Sequence, residues 1–277
     1  MEMSGIKSLE AAYSRKALSA NAKKMVEAYL PTDSTEKISR RFFDFFSDYS
    51  TLYCQTAQLH SLVDGMMMRF YHNEAFVKSS FINKVLWRGQ HVNVFELPVK
   101  GSRIDLCKIN GESVAYEIKT DYDTLKRLPK QLADYSCVFE YVYVVCSERR
   151  SASVEKKLPA HVGIYAYRDS GSNVTYRKAK EAVRSSTLSP KDQLDCLTLG
   201  ELRSFFRENG SRKALYDAIL SSQSPEAINL LFKTAVKAHY AKNWYFLKEN
   251  AGSLNAIDYQ WSYRTMALPD GGPHATI

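Results

Sequence analysis

The stretch E-L-P-V-K-G-S-R-I-D-L-C-K-I-N-G-E-S-V-A-Y-E-I-K, residues 96–119, continues through T-D-Y-D-T-L-K-R-L-P-K-Q-L-A-D-Y to residue 135 and decides the fold. It reads as three short strands followed by a helix. Lys100-Gly101 and Asn110-Gly111 separate the alternating segments, and Asn-Gly is a strong hairpin signal. If Lys100-Gly101 form a two-residue loop, paired positions sum to 201 and Glu96 faces Asp105. Facing like charges destabilise a strand pair unless something positive sits between them. A strict two-residue Asn110-Gly111 loop would pair Asp105 with Tyr116. A three-residue loop including Glu112, or one bulge, pairs it with Glu117 instead. The second register is expected, because it brings Glu96, Asp105, Glu117 and Lys119 onto one face. Ile104, Leu106, Val114, Tyr116 and Ile118 are then left to pack under a helix.

Upstream, residues 1–69 read as a helical region. One helix is expected over Ser8–Leu30, stopped by Pro31, which lacks an amide hydrogen. Asp33 with Glu36 resembles a capping arrangement for a second helix carrying Ile38, Phe42, Phe45, Phe46 and Tyr49. The phenylalanines and Met66, Met67 and Met68 read as core. A further helix is expected from Phe70 to Arg88, where Phe70, Glu74, Val77, Phe81 and Val85 share a face. Glu74 on that stripe is costly to bury unless it is paired or binds a cation; otherwise it sits at the stripe's edge and reaches water. Gly89 ends this helix in the left-handed position.

Downstream, Leu125, Leu128, Leu132 and Tyr135 mark a helix that Pro129 begins or kinks. Glu140–Ser147 reads as a strand covered on both faces. Ser147–His161 is expected to be a polar loop, and Val162–Tyr167 a strand. These elements predict an α/β fold, a mixed sheet flanked by helices, over residues 70–170. Residues 171–197 read as a linker or flap. Residues 198–277 read as a helical region, with a capping box at Thr198 and Glu201 and a long helix starting at Ser224-Pro225.

The 277 residues suffice for one large domain, or a core with helical additions. No stretch resembles a signal peptide or approaches the roughly 18 apolar residues of a membrane span. Five scattered cysteines without a C-x-x-C pair argue against a disulfide framework or a zinc site. They fit a reducing cytoplasm. The net charge of +8 fits either a polyanionic partner or a solvated basic surface.

The set Asp105, Glu117, Ile118 and Lys119, preceded by Glu74 on a helix and followed by Gln131 and Tyr135, resembles the PD-(D/E)XK nuclease superfamily. The proline usual before the first acidic residue is replaced by Ile104. The resemblance covers about residues 70–170 and implies a restriction-endonuclease-like fold. It also implies a Mg²⁺ or Mn²⁺ ion held by Asp105, Glu117 and the main-chain carbonyl of Ile118, with Glu74 as the helical contributor. Glu96 enters as an additional or competing ligand by the register argument. Lys119 would position the attacking water or stabilise developing charge, and Gln131 would orient phosphate or water. Hard oxygen donors of this kind suit Mg²⁺.

The expected function is metal-dependent hydrolysis of phosphodiester bonds in DNA, in preference to RNA, in defence against foreign DNA. The alternatives are a catalytically silent nucleic-acid-binding module, or an interaction protein that oligomerises or meets a protein partner through its helical regions. No membrane partner is expected. Arg127, Lys130, Arg149 and Arg150 could line a phosphate path or be scattered solvated charges.

Overall fold

The chain was analysed as a computed structural model that describes residues 2–46, 56–170, 174–206, 210–259 and 261. Its centre is a six-stranded sheet whose strands follow one another in chain order. The strands are β1 (Val92–Val99), β2 (Ser102–Asn110), β3 (Glu112–Lys119), β4 (Tyr141–Ser147), β5 (Gly163–Asp169) and β6 (Val174–Lys180). β3, β4 and β5 run parallel, and the remaining neighbours pair antiparallel.

Both hairpins adopt the expected registers. Phe95 pairs with Leu106 and Leu97 with Ile104 across the first. Asn110 pairs with Glu112 and Leu106 with Tyr116 across the second. Gly111 occupies the left-handed region at φ +71° that this tight connection requires. β4 is buried along nearly its whole length, as its β-branched run implied. At Gly163 a Cβ atom would lie 2.4 Å from the Tyr143 ring and 2.7 Å from the Ala182 amide nitrogen, so only glycine lets β5 approach Tyr143 this closely.

The N-terminal helices depart from the expected boundaries where polar caps intervene. Ser14 accepts the Ala17 amide and splits the first helix into α1 (Glu2–Ala12) and α2 (Arg15–Ala28). Ser34, not Asp33, caps α3 (Thr35–Phe45); Asp33 instead binds Lys37 and Arg41. Phe42 and Phe46 are buried as expected, Phe43 is exposed, and Tyr49 lies outside the described residues. Met66 and Met67 fill the core from α4 (Thr56–Phe70). The single helix expected from Phe70 to Arg88 is interrupted. Asn73 accepts the Phe76 amide at 3.0 Å and starts α5 (Glu74–Phe81), which runs into a π-helical turn over Ile82–Leu86. Such single π turns recur at functional sites.

Two further differences lie downstream, and Pro129 takes the first of its two expected roles. The expected polar loop after β4 begins with α7 (Glu148–Glu155), started by extended Ser147 with Glu148 in its first turn. The stretch read as a linker or flap carries β6, which pairs along β5, and α8 (Pro190–Asp195), capped by Ser189. α6 spans Leu128–Ser136 with Pro129 in its first turn, where its missing amide costs nothing.

α5 and α6 cover opposite faces of the sheet. Phe81 of α5 meets the rings of Tyr116, Tyr165 and Tyr176. Tyr135 of α6 reaches Glu117, whose side chain alternates with that of Tyr116. The C-terminal region comprises α9 (Leu199–Phe206), opened by the Thr198–Glu201 capping box, α10 (Arg212–Ser222) and α11 (Pro225–Asn250). α11 lies against β1 and β2, burying Trp244 beside Trp87 and His91.

A buried carboxylate, Glu140, fastens α11 to the sheet. It accepts the Ser113 amide at 2.8 Å, the Asn229 side-chain amide at 3.0 Å and the Lys233 ammonium at 3.1 Å. Burial pushes this carboxyl up, but those donors outweigh it and hold it below the ordinary glutamate value. A carboxylate lowered in the folded state stabilises above its unfolded pKa and loses that contribution as pH falls through the folded value. Glu140→Ala is therefore expected to cost about 3 kcal/mol in urea denaturation at pH 7. The difference from wild type should shrink at acidic pH, and an equal loss at pH 7 and pH 3 would contradict the ion-paired account.

Candidate functional site

The β1–β2 and β2–β3 ladders both open at the same place. Glu96 and Asp105 are opposite in register, yet the pairing skips them, and Glu96 adopts φ +55°. This is a costly conformation for a residue with a side chain, and such outliers cluster at functional sites. Across the second hairpin, the backbone ladder stops at Leu106 and Tyr116. Beyond it, the Asp105 carboxylate accepts the Ile118 amide at 2.6 Å, standing in for a main-chain acceptor. Asp105 is thereby fixed beside the Glu117–Lys119 segment.

Carboxylate oxygens of Glu74, Glu96 and Asp105 come within 4.8 Å of one another. Lys78, which the sequence reading missed, joins this group. Its ammonium donates to Glu96 at 2.6 Å and to Glu74 at 2.9 Å, and its side chain is only 2% exposed. Burial disfavours the charge on Lys78, but Asp105, Glu74 and Glu96 outweigh that cost and raise its pKa. Arg103 reaches Glu96 from outside at 2.7 Å. Glu74 sits in the first turn of α5, half exposed at the rim rather than buried in an apolar stripe. Burial pushes its carboxyl up, and the Lys78 ammonium more than reverses the effect. The i to i+4 spacing of Glu74 and Lys78 was the signal available in the sequence.

Glu117 and Lys119 form the second half of the site. They contact each other at 2.5 Å and are nearly inaccessible to solvent. The Tyr135 hydroxyl donates to the other Glu117 oxygen at 2.9 Å, which holds the carboxylate in one orientation. Gln131, one helical turn before Tyr135, has a buried side-chain oxygen with no hydrogen-bond partner. An unmet acceptor of this kind is expensive in a folded protein. Burial and the Glu117 charge raise the Asp105 carboxyl well above its ordinary range. Burial likewise raises Glu117, against the pull of Lys119.

The structure thus gathers Glu74, Glu96 and Asp105 into one cluster and ties Asp105 to the Ile118 amide next to Glu117. Gln131 lies one turn from Tyr135, which binds Glu117. The carboxylate oxygens of Glu74, Glu96 and Asp105 fit a divalent cation in chemical type, and burial disfavours the charged forms of Asp105 and Glu117. Lys78 competes for Glu74 and Glu96. The basic residues offered as a phosphate path do not form one row. Arg150 donates to the main-chain oxygens of Thr120 and Asp123, so it braces the turn after β3. Lys130 pairs with Asp134, and Arg149 makes an exposed ion pair with Asp121 in the turn after β3 that Arg150 braces.

The fold and this cluster define an α/β protein with a six-stranded mixed sheet, flanked by helices and opened at one point around buried acidic and basic groups. The model of the family described as bacteriophage P4 protein cII matches residues 68–258, and the chain belongs to that family. It is 32% identical over 108 residues to protein cII of Enterobacteria phage P4, a match covering 39% of this chain and 41% of that protein. The chain therefore spans well under two thirds of this relative's length. A solved structure of the SPO1766 protein of unknown function from Silicibacter pomeroyi aligns with a TM-score of 0.32 at 15% identity. That alignment covers 52% of this chain and 82% of the other. No helix among the described residues is long and apolar enough to cross a membrane.

A carboxyl raised in the folded state favours folding below its unfolded pKa and loses that advantage as pH rises through the folded value. Ionised Asp105 is therefore a strained group at neutral pH. Asp105→Asn keeps an oxygen for the Ile118 amide and removes the charge. It is expected to raise the melting temperature at pH 7 by a few degrees, equivalent to about 1 kcal/mol, with a smaller gain at pH 4. A lower melting temperature at pH 7 would show that Lys78 already compensates the charge in full.

Proposed function

We propose that this chain is a divalent-cation-dependent nuclease that hydrolyses phosphodiester bonds in DNA, with foreign DNA as the target. The observation carrying this reading is the buried group Asp105, Glu117 and Lys119, in which both carboxyls are raised and the lysine lies two residues beyond the glutamate. The run of α5, three antiparallel strands, α6 and the parallel strand β4 is the order of elements expected from the sequence. It supports a restriction-endonuclease-like reading of the sheet.

Asp105 and Glu117 would hold Mg²⁺ or Mn²⁺, with the Ile118 carbonyl, Glu96 and Glu74 as further oxygen donors. A bound divalent cation supplies polarisation of the scissile phosphate and a water of lowered pKa. Lys119 is placed to stabilise negative charge developing on the phosphate or to orient the water. Tyr135 keeps Glu117 in a fixed rotamer, and Gln131 offers its unmet oxygen to a water or to the cation. The net charge of +8 favours a polyanionic substrate.

A second reading rests on Lys78. Its ammonium already neutralises Glu74 and Glu96, as expected of a nuclease-like module that binds nucleic acid without turnover. Oligomerisation or partner binding through the helical regions is compatible with either reading.

Purified protein given Mg²⁺ or Mn²⁺ is expected to cleave at least one of a panel of labelled single- and double-stranded DNA and RNA substrates. Lys119→Ala is expected to lower the rate by roughly 100-fold or more while its melting transition persists. If every substrate stays intact yet is bound in a salt-sensitive manner, the second reading holds. Calorimetric titration with Mn²⁺ separates the two further. The nuclease reading predicts binding that Glu117→Ala abolishes. The silent module predicts binding only after Lys78→Met.

A further inference from the structure

A cavity of about 570 Å³ opens at the carboxyl ends of the parallel strands β3, β4 and β5. In open α/β sheets this is the edge where ligands bind, and the volume falls within the usual range of small-molecule sites. Asp121 follows β3, Ser147 ends β4, and Tyr167 to Asp169 end β5; all line the cavity. The facing wall comes from the N-terminal helices, through Arg15 at the start of α2 and Arg69 near the end of α4. None of the acidic-cluster residues lines it.

Four arginines line it, Arg15, Arg69, Arg149 and Arg168, against the three carboxylates Asp121, Glu148 and Asp169. Planar guanidinium groups match phosphate oxygens in paired hydrogen bonds. Two of them are loosely held. Arg149 pairs with Asp121 at 2.9 Å and Arg168 with Glu148 at 2.7 Å, while the arginine side chains remain 87% and 73% exposed. Ion pairs so exposed are weak, so an arriving phosphate can take over either guanidinium. Arg69 is fixed by Glu10 through two contacts, and Arg15 makes no ion pair among the described residues. Asp169 is engaged by His72. Tyr122 is 61% exposed, with its ring 5.5 Å from that of Tyr71. An exposed ring of this kind offers a face for a nucleobase.

We infer that this cavity binds a nucleotide, with its phosphate on the arginines and its base against Tyr122, at a site separate from the acidic cluster. The phosphate can belong to a nucleic-acid strand threaded past β3 or to a free nucleotide. Neither source requires the acidic cluster to cut. The site therefore extends beyond the nuclease reading and survives its failure.

Calorimetric titration of the full chain with deoxyadenosine monophosphate, deoxyadenosine, inorganic phosphate and a single-stranded oligonucleotide tests this directly. The expected result is binding of the mononucleotide, the oligonucleotide or both, with deoxyadenosine at least roughly tenfold weaker. Binding of the oligonucleotide alone assigns the phosphate to a strand, and binding of the mononucleotide admits the free ligand. Arg149→Ala should weaken the phosphate-bearing ligand about fivefold or more with an unchanged melting curve. Tyr122→Ala should weaken nucleotide binding without that dependence on charge, and Lys157→Ala, outside the cavity, should bind as wild type. The inference is overturned if inorganic phosphate binds as well as the nucleotide, if deoxyadenosine matches the monophosphate, if no ligand binds, or if Arg149→Ala is indistinguishable from wild type.

Discussion

Lys78 places one ammonium almost wholly out of solvent, in contact with two carboxylates and in the field of a third. Removing such a charge from water costs several kcal/mol before any partner is counted. The surrounding chain is arranged to meet that cost. Asn73 caps the start of α5, so Glu74 and Lys78 stand one turn apart in its first residues. Glu96 leaves the β1 ladder at φ +55°, where its carboxylate meets Lys78 on one oxygen and Arg103 on the other. Asp105 loses its backbone pairing and takes the Ile118 amide instead. A helix cap, a strained residue and an open ladder therefore have one common consequence, a buried ionic cluster at the join of α5, β1 and β2.

Much of this was legible in the chain, because strand register leaves a strong trace. Asn110-Gly111 and the alternation around it specify a hairpin. Requiring apolar residues on one face then leaves a single register that places Asp105 against Glu117. The failures have a different physical origin. A helical stripe through Phe70, Val77 and Phe81 does not reveal that Asn73 will outcompete the helix for the Phe76 amide. Lys78 does not stand out in the sequence, because a lysine near a glutamate is ordinarily a solvated surface pair. Burial, which only the packing of α5 decides, changes its meaning. β6 is hard to tell from a linker because Arg177, Lys178 and Lys180 dominate this edge strand and only Val174 and Tyr176 turn inward. Charged edges of this kind also protect a sheet from pairing with other chains.

The helical regions at both ends complete a sheet that could not otherwise bury its faces. α11 covers β1 and β2 with Trp244, and Glu140 anchors it through Asn229 and Lys233. At the opposite end, α2 and α4 contribute the arginine wall of the cavity beyond the parallel strands. The N-terminal helices thus shape a surface the sheet alone would not possess. The matched family region begins at residue 68, so Arg69 lies inside it and Arg15 outside it.

The two halves of the acidic site differ in how fully their charge is met. Lys78 and Arg103 serve Glu74 and Glu96, whereas Asp105 and Glu117 stay raised despite Lys78 and Lys119. A protein selected for stability alone would replace Asp105 with an uncharged residue, since the amide bond to Ile118 does not need a carboxylate. On the proposed nuclease reading, a carboxylate is kept there because a cation takes up its charge; it also supports the buried Lys78 ammonium. Asp105 belongs to both halves: its carboxylate lies within 4.8 Å of those of Glu74 and Glu96, and its charge supports Lys78. On that same reading, a divalent ion at Asp105 would meet Lys78 as the competing cation for Glu74 and Glu96, and the Lys78 contact is what supports Glu96 in its strained conformation.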